Sequence, residues 1–101
     1  MQVPVLFGLD SMHGANYVSE AVLYPHALAL AASFDPVHTH RMARATAAQT
    51  RAAGVPWVFG PVLDVGTAPR FPRIYETFGE DPWLVATMVR DGRGRGDECW
   101  A

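Results

Sequence analysis

The chain has 101 residues, a formal net charge of −2, and 50% hydrophobic against 18% charged residues, the balance of a globular domain rather than a disordered one. The slight acidic excess argues against a nucleic-acid binder, which needs a clustered basic face. All eight basic residues are arginine, so no step that needs a lysine amine, a Schiff base included, can reside in this chain. The single cysteine, Cys99, excludes an internal disulfide. No apolar run approaches the roughly 18–20 residues of a membrane span, and no basic region followed by an apolar stretch marks a signal peptide.

Residues 3–9 (VPVLFGL) form a short, near-continuous apolar run ending at Asp10. Its length and β-branching predict a strand buried on both faces. Residues 11–19 read as loop. Residues 25–32 predict a short helix with Pro25 in its first turn. Asp35-Pro36 is a helix start, with Asp as N-cap and Pro at the first helical position. That helix is predicted to run to Ala53 and to stop at Gly54. His38, Met42, Ala45, Thr46, Gln49 and Ala53 would form its inward face, with Arg41, Arg44 and Arg51 toward solvent.

Residues 55–59 predict a second strand, punctuated by Gly60-Pro61, with apolar residues 62–65 continuing around Asp64. Strand, helix pair, strand is the pattern of a parallel βαβ unit. Residues 66–78 read as a long Pro- and Arg-containing loop. Glu80-Asp81-Pro82 starts a last helix through about Arg90, with carboxylates at its positive end. Residues 91–101 have no apolar period and read as a disordered or off-pattern tail, leaving 1–90 as the domain.

Asp10 and Asp64 each stand at or just beyond the carboxyl end of a predicted strand. In parallel α/β folds ligands bind at that edge. A rim of Asp, His and Arg suits a polyhydroxylated ligand, because one carboxylate accepts from two adjacent hydroxyls. Each aspartate has a plainer reading as well: Asp10 as a cap for the following turn, Asp64 as the organiser of its own loop. His13 follows Asp10 at a spacing open to joint metal ligation, yet metal sites show three or four ligands and no third is apparent, so no metal and no cofactor are expected. Arg73 and Glu76 are spaced for an ion pair that stiffens the loop. Trp57, Phe59, Phe71 and Trp83 read as core, with Phe71 also placed to stack on a sugar face.

Four linked segments carry more specific information: LFGLDSMHGANYV, LYPHALALAASFDP, TRAAGVPWVFGPVLDVG and PRFPRIYETFGEDPWLV. In order and spacing they resemble the N-terminal domain of family 3 glycoside hydrolases, over about residues 3–89. The resemblance implies a part of a (β/α)₈ barrel, about two βα units with parallel strands plus a C-terminal helix, since a whole barrel takes about 250 residues. It implies a retaining β-glucosidase acting on terminal β-linked glucosides, with a small carbohydrate as partner and neither nucleic acid nor membrane. It places the sugar-binding aspartate of the G-x-D-x-x-H-G motif on Asp10. The arginine closing the W-G-R motif falls on Arg73, although the motif here reads Phe71-Pro72-Arg73. His13, Asp64 and Phe71 are further site-lining candidates.

The family's Lys-His pair and aspartate nucleophile lie later in the barrel, and its acid/base glutamate in a following domain. The resemblance thus assigns neither catalytic carboxylate to this chain, which is expected to be an inactive fragment. Relatives of this kind are often extracellular or periplasmic. The competing expectation is a small non-catalytic α/β module for carbohydrate binding or regulation, with a closed sheet edge.

Overall fold

The computed structural model describes residues 3–92. In chain order these form strand β1 (Gly8–Leu9), helices α1 (Ala27–Ala31) and α2 (Pro36–Ala52), strand β2 (Trp57–Val58), a 3-10 turn (Ile74–Glu76) and helix α3 (Pro82–Gly92). β1 and β2 pair in parallel, Gly8 with Trp57 and Leu9 with Val58. Both intervening helices lie in the crossover, which is the α/β arrangement expected from the sequence.

Local chemistry sets the helix ends. The Asp35 carboxylate accepts from the Val37 N–H at 2.9 Å, and Pro36 takes the first helical position. At the other end, Gly54 turns left-handed (φ +83°). The Gly54 N–H then donates to the Arg51 carbonyl at 2.9 Å and the Val55 N–H to the Thr50 carbonyl at 3.2 Å. This is the paired bonding of a Schellman cap. α3 starts as α2 does, with the Asp81 carboxylate accepting from Trp83 N–H at 2.8 Å. It runs to Gly92, two residues beyond the expected Arg90. The rest of the expected tail, residues 93–101, lies outside the described residues.

The helices, rather than the strands, hold the core. Ala27, Leu30 and Ala31 of α1, Phe78 from the approach to α3, and Val85 and Met88 of α3 make one buried cluster, with Met42, Leu84 and Val89 packed at its margin. Alanines on α1 let the other helices approach closely, and Phe78 fills the space between them.

Three expectations are corrected here. The first strand does not extend over residues 3–9: only Gly8–Leu9 is paired, and Val3, Val5, Leu6 and Phe7 are 58–89% exposed. A strand buried on both faces needs cover from both sides and neighbours on both edges; the described residues give β1 one neighbour. For the same reason β2 is shorter than residues 55–59, and Trp57 and Phe59 stay half exposed, in edge-to-face contact at 4.7 Å. Trp83 is a surface residue as well. The third correction concerns α2, which buries Thr39, Ala43, Thr46 and Thr50. His38 and Ala53 are exposed, and the His38 imidazole lies 3.7 Å from the Asp35 carboxylate on the surface. Arg41, Arg44 and Arg51 do face outward.

Candidate functional site

Asp10 follows β1 directly, and the residues on either side of it are anchored. The Leu9 carbonyl accepts from the Phe59 N–H at 3.0 Å, extending the parallel ladder. The Ser11 hydroxyl accepts from Thr50 of α2 at 2.8 Å, in a buried contact. Asp10 itself stays about one-third exposed.

The segment after Asp10 folds back on itself. The His13 carbonyl accepts from the Tyr24 N–H and the Tyr24 carbonyl lies against His13 Nδ1, both at 2.8 Å. A carbonyl only accepts, so Nδ1 carries the proton. These bonds close the neck of a loop over residues 14–23, in which Gly14 turns with φ +105° against the Val22 carbonyl. The His13 ring stacks on His26 with centroids 3.9 Å apart, and His26 meets the edge of Tyr75 at 4.8 Å. Burial lowers the His26 pKa, the neighbouring His13 lowers it further, and Glu76 acts in the opposite direction. His26 Nδ1 is buried and unpartnered.

Arg73 arrives from the other side of the sheet end, on the long loop. That loop also has a closed neck, the Gly66 N–H donating to the Gly79 carbonyl at 2.8 Å. Its far end is stapled by the 3-10 turn, where the Glu76 N–H donates to the Arg73 carbonyl at 3.0 Å. Thr77 Oγ1 also bonds the Ile74 carbonyl at 2.7 Å. Phe78, inserted in the helical core, pins the turn from below.

The two loops meet at the Arg73 guanidinium. Its Nη2 lies 3.3 Å from the Asp10 carboxylate and 3.1 Å from the Met12 sulfur. Its Nε lies 2.9 Å from both Glu76 oxygens, and Nη2 lies 2.8 Å from Oε2, a charge-assisted fork of the stronger kind. The Glu76 side chain is 2% exposed while that of Arg73 is 44% exposed. The Arg73 pKa is raised above its ordinary value, first by the hydrogen bonds to Glu76 and then by those to Asp10. The result is two carboxylates around one cation, buried on the Glu76 side and open on the Asp10 side.

Of the residues singled out from sequence, Asp10 and Arg73 are brought into contact. His13 is next in chain to this group but is occupied in closing its own loop. Phe71 is partly buried two residues before Arg73, where the Ile74 N–H reaches its carbonyl. Asp64 follows β2, the parallel partner of β1, and is exposed. The buried fork of Glu76 was missed as part of the site; its signal was the three-residue spacing from Arg73. Among the described residues no group of three metal-ligating side chains occurs, and no helix is long and apolar enough to cross a membrane.

An apolar cavity of about 60 Å³ adjoins this group, lined by Met12, Thr46, Phe59, Glu76, Phe78 and Val89 among others. Ligand pockets run to about 300–1,000 Å³. This cavity, among α2, β2 and α3, is therefore too small to hold a sugar.

Comparison with known proteins places this geometry in context. The family described as glycosyl hydrolase family 3 N terminal domain matches residues 1–92. A lysosomal beta glucosidase of Dictyostelium discoideum is 52% identical over 87 residues, covering 86% of this chain and 11% of that protein. A beta-xylosidase of Formosa agariphila is 36% identical, covering 88% of this chain and 14% of its own length. Similarly, a periplasmic beta-glucosidase of Salmonella typhimurium is 31% identical over 94% of this chain and 12% of its own. Among solved structures, a β-glucosidase from intestinal bacteria, described as involved in saponin metabolism, superposes with a TM-score of 0.82 at 37% identity. That match covers 88% of this chain and 12% of the enzyme. The chain thus spans little more than a tenth of the length of these relatives.

Proposed function

The chain belongs to the glycosyl hydrolase family 3 N-terminal domain family, and on that premise we propose that it carries part of the glycone subsite of a β-glucosidase-type enzyme. Its two parallel strands and their crossover are then about two βα units of a (β/α)₈ barrel. Asp10 accepts hydrogen bonds from hydroxyls of the terminal sugar, and Arg73 donates to the same ring. Neither acts on the scissile bond. Retaining hydrolysis needs two carboxyl groups about 5–5.5 Å apart across that bond, one as nucleophile and one as acid/base, and both are assigned to the remainder of the enzyme. His13, Asp64 and Phe71 belong to the surroundings of the subsite rather than to its contacts.

The observation that carries this reading is the Asp10–Arg73 contact at 3.3 Å with both side chains partly open to solvent. An acceptor and a donor so close can address neighbouring hydroxyls of one pyranose. The reading of a self-sufficient α/β module is disfavoured by the exposed apolar segment at residues 3–7, because stand-alone soluble domains rarely leave a contiguous apolar patch bare.

The test is titration of the full chain with methyl β-glucoside, followed by backbone amide NMR, together with an assay on an aryl β-glucoside. A hydrogen bond to a charged group contributes about 1.5–3 kcal/mol, whereas a dissociation constant of 1 mM requires about 4 kcal/mol. Saturable binding in the millimolar range or weaker is therefore expected, localised to Asp10 and Arg73 and weakened about tenfold by Asp10→Asn. No turnover is expected. Micromolar affinity, turnover abolished by Asp10→Asn, or shifts confined to other surfaces would refute the proposal.

A further inference from the structure

Resting on that reading of the subsite, we infer that Glu76 is its positioning residue: it touches no sugar, and it fixes the Arg73 guanidinium in the orientation that faces Asp10. Arginine has four rotatable bonds and five N–H donors, and an exposed arginine on a loop samples many rotamers. Here the Glu76 carboxylate, itself almost wholly buried, takes the Nε and one Nη2 edge of Arg73 in a fork at 2.8–2.9 Å. A point charge would attract the guanidinium without orienting it, whereas the fork sets its plane.

Glu76 is in turn held by its surroundings. The 3-10 turn fixes its backbone against Arg73, and buried Thr77 and Phe78 follow immediately. With the inner edge so occupied, the remaining N–H groups of Arg73 are left for the rim. Pre-organisation of this kind lowers the ordering cost of ligand binding without adding a contact. Charge matters as well. Glu76 offsets Arg73, so Asp10 keeps accepting capacity for hydroxyls. The group as a whole is left with a net negative charge, which suits a neutral glycoside as probe.

The experiment is arginine-side-chain NMR on the ¹⁵N-labelled full chain, first without sugar and then with methyl β-glucoside. In the unmutated chain the Arg73 Nε–H signal should lie downfield of the exposed arginines and exchange slowly. Glu76→Gln retains the shape and one acceptor oxygen but loses the fork. It should move that signal among the exposed arginines and raise the sugar dissociation constant about tenfold, with the backbone spectrum still native. Glu80→Gln, at an exposed carboxylate outside the site, should do neither. An unchanged Nε–H signal in Glu76→Gln overturns the inference, and so does unchanged sugar affinity once the signal is lost. Should Glu76→Gln not fold, Glu76→Asp is read instead. It keeps the charge on a shorter stem, and an unshifted Nε–H signal there equally overturns the role. A lack of any sugar response in the unmutated chain refutes the subsite reading separately, because the Nε–H comparison is made before sugar is added.

Discussion

Phe78 ties the candidate site to the helical core, and its removal is the most informative single perturbation of the fold. It is 2% exposed and touches a cluster drawn from α1 and α3. Phe→Ala in such a setting costs about 3–5 kcal/mol, the sum of lost transfer energy and the cavity left behind. Small domains have only about 5–15 kcal/mol in total, and the exposed apolar residues of the amino-terminal segment place this chain toward the lower end. Phe78→Ala should therefore take away most of the stability and unfold a measurable fraction at 25 °C. Urea unfolding followed by far-UV circular dichroism gives the midpoint and slope, with Trp83→Ala as the control. Trp83 is 71% exposed, and its loss should stay within about 0.5 kcal/mol. A Phe78→Ala loss below about 1 kcal/mol, or one no larger than the control, would refute the placement of the core between α1 and α3.

Two further predictions concern the backbone and the pH profile. Gly54→Ala meets nothing within 4 Å and should cost only the left-handed penalty of about 1–2 kcal/mol. Gly14→Ala drives its methyl into the Val22 carbonyl and should cost more; thermal melts giving equal losses would show that the loop neck is not rigid. His26 has a lowered pKa in the folded chain, so the unfolded state binds the proton more readily. Stability should be complete above about pH 6.5, fall as pH drops through that value, and level off below the folded pKa. His26→Phe should flatten this dependence, and denaturation midpoints across pH 4.5–8 that stay parallel for both chains would rule it out.

The parts of the fold legible in sequence are those decided by short-range chemistry. Asp35-Pro36, Gly54 and Asp81-Pro82 each announce a helix end by what one side chain or one φ angle can do, and each does so in the structure. The inward face of α2 was read correctly at Met42 and Thr46 and wrongly at its ends, His38 and Ala53, because much of the helix is alanine and threonine on every side. Thr39, Ala43 and Thr50, the buried positions outside the expected face, are small residues like Ala45 and Ala53 within it, so periodicity has little contrast to work on. The strand burial was misjudged for another reason: an apolar run states that cover is needed, not that the described residues supply it.

In the site, the spacing of Arg73 and Glu76 revealed the pair but not its burial, which depends on Phe78 entering a core made of other elements. His13 is similar. Its participation in a loop neck depends on Tyr24 and on stacking by His26, partners that no local motif names.

The contacts around Arg73 differ in how far along the chain they reach. Its fork with Glu76 closes within one turn, whereas its contact with Asp10 joins two loops far apart in sequence. Fraying of the first strand would therefore remove the acceptor half of the site while the donor half stayed assembled. Hydrogen exchange should see two layers of opening here, the outer one governed by how firmly the amino-terminal segment is clasped.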